Sequence, residues 1–174
     1  KSINKLKSTY EDMSGYPSSF NCYTQGTTPL TATSKDTEQC YSASGIGDGV
    51  YTHLNQQVNA DATFARMGQV IPQSYILSVK NESGKELYKW TQPESKQVIK
   101  TDTAYIINNM LSDPNATYLG TTFYSPVLNK SVDFKFQSWN GWSTAIKTGT
   151  QNDNKDGLMT AWNTQYAVIS YVGN

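Results

Sequence analysis

The stretch 143–172 limits the fold more than any other part of the chain. Three runs, 143–151, 157–164 and 166–172, carry strand-like patterning. In the last of them Tyr166, Val168, Ser170 and Val172 alternate with Ala167, Ile169 and Tyr171, the two-residue period of a pleated strand. The connections between the runs are far shorter than the dozen or so residues that a parallel crossover needs. Neighbouring runs therefore pair antiparallel. Apolar residues on both faces of 166–172 predict a sheet covered on both sides. In the first run Thr144 and Ile146 are β-branched, and alternation places Ala145, Lys147 and Gly149 on one face. Lys147 offers a point charge, the hydroxyls of Thr148 and Thr150 suit a carboxylate, and Gly149 leaves room for an extended ligand backbone. Taken alone, the same four residues also describe an ordinary strand with a solvated lysine.

Upstream, three helices are legible. Residues 2–14 recur at Ile3, Leu6, Tyr10 and Met13 and stop at Gly15 and Pro17. Residues 51–67 carry an apolar stripe of Leu54, Val58, Ala62 and Ala65, with Gly68 as the stop. His53 lies off that stripe as a solvated or capping residue. A third helix, 103–112, is capped by Thr101 or Asp102, buries Ala104, Ile107, Met110 and Leu111, and ends before Pro114. Residues 74–90 predict a hairpin: Tyr75, Leu77 and Val79 go out, Asn81-Glu82-Ser83-Gly84 turns, and Leu87, Tyr88 and Trp90 return. Segments 17–49 and 113–142 show no sustained period and are expected to be irregular; aromatic residues in the second either pack on the domain or line a pocket. Gly45, Gly47 and Gly49 alternate without a following G-K-[ST], which excludes a phosphate loop.

Composition removes several function classes. Lysine plus arginine equals aspartate plus glutamate, 14 against 14, so net charge makes no case for nucleic acid or an anionic membrane. Charged residues are 16%, below the roughly 25% of an average domain. Polar uncharged residues fill the gap, as suits an extracytoplasmic surface. No apolar run approaches the ~20 residues of a membrane span, and the chain opens without a signal-peptide pattern. An export signal or anchor is expected outside the given residues. Cys22 and Cys40 are too far apart for a redox or zinc pair, and the one histidine cannot complete a ligand set. They form either a disulfide closing a long loop or two buried thiols. The run Asn152-Asp153-Asn154-Lys155-Asp156-Gly157 lacks a closing glutamate and is better read as a polar turn than as a calcium loop. Sequons at Asn81, Asn115 and Asn129 matter only where the source glycosylates.

Several separated stretches, taken together and in order, resemble the transpeptidase domain of class A, bifunctional-type penicillin-binding proteins. Gly45-Ile46-Gly47-Asp48-Gly49 sits where that family has L-G-G-G-E, and Ala62-Thr63-Phe64-Ala65-Arg66-Met67-Gly68, followed by Pro72, resembles A-T-F-A-N-G-G…P. Ser83-Gly84-Lys85-Glu86-Leu87-Tyr88 is similar to D-G-K-V-L-Y, and 103–111 to T-A-Y-L-M-T-D-M-L. Lys147-Thr148-Gly149-Thr150-Gln151-Asn152-Asp153 resembles K-T-G-T-T-N-D, and the closing Tyr171-Val172-Gly173-Asn174 resembles W-V-G-N. K-T-G is the third signature of the set S-x-x-K, S-x-N and K-T-G. The chain departs from the family in two places. Ser2-Ile3-Asn4-Lys5 satisfies both serine motifs at once, which one serine cannot serve, and is taken as a coincidence; Ala161 and Trp162 stand where the family has Gly and Tyr.

The resemblance implies an α+β fold, an antiparallel sheet with flanking helices, forming an incomplete, β-lactamase-like transpeptidase domain. Residues 1–174 would be its C-terminal portion, with the nucleophile-bearing part upstream. The implied reaction is serine acyl transfer that cross-links peptidoglycan stem peptides. Lys147 would be the catalytic lysine, Thr148, Gly149 and Thr150 would bind substrate, and β-lactams would occupy the same place. No cofactor or metal is implied. The piece alone would be inactive, would expose apolar surface, and would either self-associate or meet the missing part of the domain. Its location would be the cell envelope. The competing reading is a non-enzymatic extracellular binding or assembly module.

Overall fold

A computed structural model of the protein describes residues 2–22, 44–46, 50–113, 115–116, 122–125, 129–133, 138–139, 142–150 and 155–173. Its helices are α1 (Ser2–Ser14), α2 (Leu54–Ala65) and α3 (Thr101–Ser112), with one 3-10 turn at Ser44–Ile46. The strands are β1 (Asn21–Cys22), β2 (Val50–Tyr51), β3 (Gln69–Val70), β4 (Ser78–Lys80), β5 (Glu86–Lys89), β6 (Lys96–Gln97), β7 (Thr122–Ser125), β8 (Lys130–Asp133), β9 (Ser138–Trp139), β10 (Trp142–Ser143), β11 (Ala145–Thr150), β12 (Asp156–Trp162) and β13 (Ala167–Gly173). The fold is α+β.

The three C-terminal strands form the largest sheet among the described residues, in the order β11-β12-β13 and antiparallel throughout. Ala145 opposes Trp162, Lys147 opposes Thr160, and Thr150 opposes Gly157; on the other side of β12, Trp162 opposes Ala167 and Asp156 opposes Gly173. Asn163 makes the tight return possible. Its Oδ1 accepts the backbone N–H groups of Gln165 and Tyr166 at 2.8 and 2.9 Å, the local bonding that makes asparagine a turn residue.

Helix α2 packs on β12 and β13, and α3 packs on β11 and α2. The face they cover carries Ala145, Thr160 and Trp162, all buried. Opposed residues share a face, so Ala161 and Val168 lie on the other one, as Gly157 and Val172 do. There Val168 is 58% and Val172 71% exposed. Apolar residues thus occupy both faces, as the alternation predicts; among the described residues helices pack on one of them and leave Val168 and Val172 exposed on the other.

The packing between α1 and α2 is polar. The largest fully buried side chains are Asn59, Thr63, Ser14 and Ser19. Asn59 Nδ2 donates to the carbonyl of Ser14 at 2.7 Å and to that of Ile71 at 3.3 Å. Thr63 Oγ1 reaches the carbonyls of Met13 and Asn59, and Ser14 Oγ meets Ser19 Oγ at 2.7 Å. These bonds take up carbonyls that the end of α1 leaves without intrahelical partners. The stripe read as Leu54, Val58, Ala62 and Ala65 is correspondingly displaced. Leu54 is 44% exposed, and the buried run is Asn59, Ala60, Asp61, Ala62 and Thr63. Gly68 closes the helix at φ +90°, where any side chain would collide with the Ile99 carbonyl.

Other differences are local. Helix α3 starts at Thr101 with Lys100 as its N-cap, and Asp102 sits in the first turn, its Oδ1 accepting the Thr103 N–H at 2.7 Å. Met110 faces solvent, while Asn108 turns inward. His53 is the N-cap of α2, its N–H donating to Gln56 Oε1 at 3.0 Å. The 74–90 hairpin forms as β4 and β5, with Gly84 at φ +79°. Within 113–142, expected to be irregular, β7 pairs with β8 and β9 with β10. Strands of two to four residues are too short to show a period. Cys40, Gly47, Gly49 and most of 151–157 lie outside the described residues, and with them the disulfide and calcium-loop alternatives.

Candidate functional site

Strand β11 presents the Lys-Thr-Gly-Thr run at an edge of the three-stranded sheet: β12 flanks it on one side, and among the described residues no strand flanks the other. Lys147 is exposed, Thr148 half-buried, Gly149 and Thr150 exposed. The Lys147 ammonium donates to the carbonyl of Thr148. By register, Lys147 and Gly149 share the helix-covered face with Thr160 and Leu158, whereas Thr148 and Thr150 share the open face with Met159 and Gly157. The charge and the two hydroxyls therefore meet only around the free edge of β11. A ligand that used all three would lie along that edge.

Gly149 has no structural reason to be glycine. Its φ is not in the left-handed region, and a Cβ built there meets only Leu158 Cβ at 3.7 Å, an ordinary contact. A methyl group would fit there, so the fold itself does not demand glycine at this position.

Directly across from Lys147, Thr160 Oγ1 donates to Asp61 Oδ2 at 2.7 Å. Gln57 Nε2 donates to Asp61 Oδ1 at 3.1 Å, and the Tyr10 hydroxyl donates to Gln57 Oε1 at 2.8 Å and lies 2.8 Å from Thr52 Oγ1. Burial raises the Asp61 carboxyl above its ordinary value, against the lowering effect of its bonds to Thr160 and Gln57. Burial also pushes the Tyr10 phenol up to about 12. A polar line thus runs from the sheet through α2 to α1. Its only sequence signal was an aspartate set between alanines in mid-helix.

Trp162, on the same face, donates its indole N–H to Asn108 Oδ1 at 2.8 Å, and Asn108 Nδ2 donates to the carbonyl of Phe64 at 2.8 Å. Phe64 and Trp162 stack with ring centroids 6.1 Å apart. Trp162 is thereby tied to both helices, which accounts for a large residue at that position of β12.

Among the described residues, clefts lie elsewhere. One of about 230 Å³ lies between the ends of α2 and α3 and is bordered by Ala145 and Trp162. Another of about 230 Å³ lies between α2 and the β12–β13 turn, and one of about 380 Å³ lies between α2 and the segment leading to β4. Lys147 lines none of them. Among the described residues there is no cluster of metal-ligating side chains, and no helix is long and apolar enough to cross a membrane.

The arrangement of helices and antiparallel sheet is that of penicillin-binding-protein structures. One is PonA1 of Mycobacterium tuberculosis, similar to 72% of this chain and 31% of its own, with a TM-score of 0.52 and 23% identity. Another is penicillin-binding protein A of M. tuberculosis, solved as an imipenem acyl-enzyme complex, similar to 97% of this chain and 35% of its own, with a TM-score of 0.60 and 14% identity. At these identities the likeness is one of fold, and the chain spans about a third of the length of either structure. No protein-family model matches the chain. No curated protein sequence matches it.

Proposed function

We propose that residues 1–174 are the C-terminal portion of the transpeptidase domain of a class A, bifunctional-type penicillin-binding protein. The observation that carries this reading is the Lys-Thr-Gly-Thr run on an exposed strand at a sheet edge, within a fold shared with two penicillin-binding proteins. In the intact protein a serine encoded before Lys1 attacks the stem-peptide carbonyl, forming an acyl-enzyme and releasing the terminal residue. An amine of a neighbouring strand then takes the acyl group. Lys147 holds positive charge beside the reacting hydroxyl and assists proton movement. Thr148 and Thr150 bind the terminal carboxylate around the edge of β11, and the backbone N–H of Thr150 gives half of the oxyanion hole. β-Lactams react at the same place.

On this reading the protein works in the cell envelope, anchored by a segment that precedes these residues. The piece alone has the lysine strand without the nucleophile, so it is inactive. The test is labelling with a fluorescent penicillin. The 174 residues are expected to give no covalent adduct, and the longer protein a serine-linked one that is lost on Lys147→Ala. A stable adduct on the piece alone, or none on the longer protein, overturns the assignment. The latter result would favour a binding module.

A further inference from the structure

We propose that Arg66 anchors a site for the carboxylate of a short peptide, in the two clefts that meet beside α2. Arg66 is the one arginine of the chain, among 14 basic residues. It is the C-cap of α2, and its Nη1 is sealed from solvent without a hydrogen-bond partner. Among the described residues no carboxylate lies within ion-pair distance of it. Burial alone lowers its pKa, with no neighbouring charge set against it. An arginine does not escape this by losing its proton. Its cation therefore sits half-buried with no compensating carboxylate among the described residues, a condition under which an incoming anion gains most. Charge is delocalised over the guanidinium, so an anion on its open edge also offsets the cost at the sealed nitrogen.

The surroundings select a peptide. Arg66, Asn59 and Gln73 border both the cleft at the β12–β13 turn, about 230 Å³, and the one at 71–77, about 380 Å³. This is room for a few residues rather than a protein surface. Asn59 and Gln73 spend their amide groups inside the fold, on Ser14, Ile71 and Asn55, which leaves Arg66 as the charged anchor. Beyond it the larger cleft is mixed: Pro72, Tyr75, Leu77 and Trp90 give it an apolar, aromatic side, and Ser74 and Gln92 a polar one. Tyr75 is held by bonds from Asn55 to its hydroxyl and from its hydroxyl to Gln73, yet stays 72% exposed. The backbone N–H of Trp90 donates to the Leu77 carbonyl at 2.8 Å, which sets the two residues' backbones side by side. A peptide with its terminal carboxylate on Arg66 and an apolar side chain on the aromatic side satisfies both halves. The site is on α2, away from the Lys147 strand, and does not depend on the transpeptidase reading.

The test is calorimetric titration with N-acetyl-Phe-Ala-Ala as the free acid and as its C-terminal amide. The acid is expected to bind at least about tenfold more tightly than the amide, and Arg66→Lys to weaken it about tenfold through loss of the planar fork. Arg66→Met is expected to be as stable as the parent and to bind the acid no more tightly than the amide. Equal binding of acid and amide, or no binding of either, overturns the proposal. So does loss of binding on Lys147→Ala with retention on Arg66→Lys. If Arg66→Met fails to fold, Arg66→Lys and the amide decide.

Discussion

Thr160 on β12 and Asp61 on α2 are 99 residues apart in sequence and share a hydrogen bond of 2.7 Å in a buried setting. This bond holds the sheet to α2 directly beneath Lys147, whose cross-strand partner is Thr160.

Asp61 gives the chain a predictable pH dependence. Its folded pKa lies above the unfolded value near 3.8, so over the interval between the two the folded state binds more protons than the unfolded one. Stability from this group is fully present below the unfolded value and declines as pH rises through the folded one. Asp61→Asn keeps a hydrogen-bonding side chain and removes the titration, so it is expected to flatten that part of the profile. Asp61→Ala leaves Thr160 and Gln57 without their acceptor and is expected to cost about 1–3 kcal/mol. Urea midpoints measured from pH 4 to 7 check both; an unchanged slope for Asp61→Asn removes this account of the carboxyl.

The polar packing of α1 on α2 predicts that apolar replacement fails there. Asn59 is 1% exposed and serves two carbonyls, those of Ser14 and Ile71. Asn59→Leu has a similar size but strands both acceptors, an expected loss of about 2–4 kcal/mol. Thr63→Val removes one hydroxyl that serves Met13 and Asn59 and is expected to cost about 1–2 kcal/mol. Equilibrium urea unfolding distinguishes this from an ordinary apolar interface, where Asn59→Leu would stabilise.

Two glycines separate structure from site. Gly68→Ala forces a side chain onto the Ile99 carbonyl at positive φ and is expected to destabilise by roughly 3 kcal/mol or more. Gly149→Ala meets only an ordinary contact and is expected to leave stability within about 0.5 kcal/mol. Under the transpeptidase proposal the same change slows penicillin acylation of the longer protein. Thermal unfolding beside acylation rates reads the contrast, and a Gly149→Ala protein that is stable and acylates normally removes the clearance argument for Gly149.

What was legible in the sequence follows from how local each signal is. α1, the 74–90 hairpin and the antiparallel order of the last three strands rest on periods and turn residues that need only their neighbours, whereas the α+β class came with the family resemblance. The buried face of α2 was misread because Asn59, Asp61 and Thr63 look solvent-facing until α1 and β12 supply their partners. Asn108 was missed for the same reason: its partners, Phe64 and Trp162, are 44 and 54 residues away. Lys147, Thr148, Gly149 and Thr150 are legible as a motif whose alternation already parts lysine from threonines, and the register adds which face is which: Lys147 lies on the helix-covered side with Thr160.

The open face of the sheet yields the last prediction. Val168 and Val172 are 58% and 71% exposed there, and Tyr166 beside them is 64% exposed. Exposed apolar groups that share a face make a patch, and patches of this kind mark contact surfaces or drive association. The missing part of the domain is the occupant that the transpeptidase reading supplies; without it, copies of the chain are expected to associate through this face. Val168→Thr with Val172→Thr keeps β-branching and removes little packing, so stability should change by less than about 1 kcal/mol. Sedimentation velocity over a concentration series is expected to show the parent associating and the double variant shifted toward monomer, with weaker binding of a hydrophobic dye. A parent that stays monomeric and binds no dye would show that this face needs no cover.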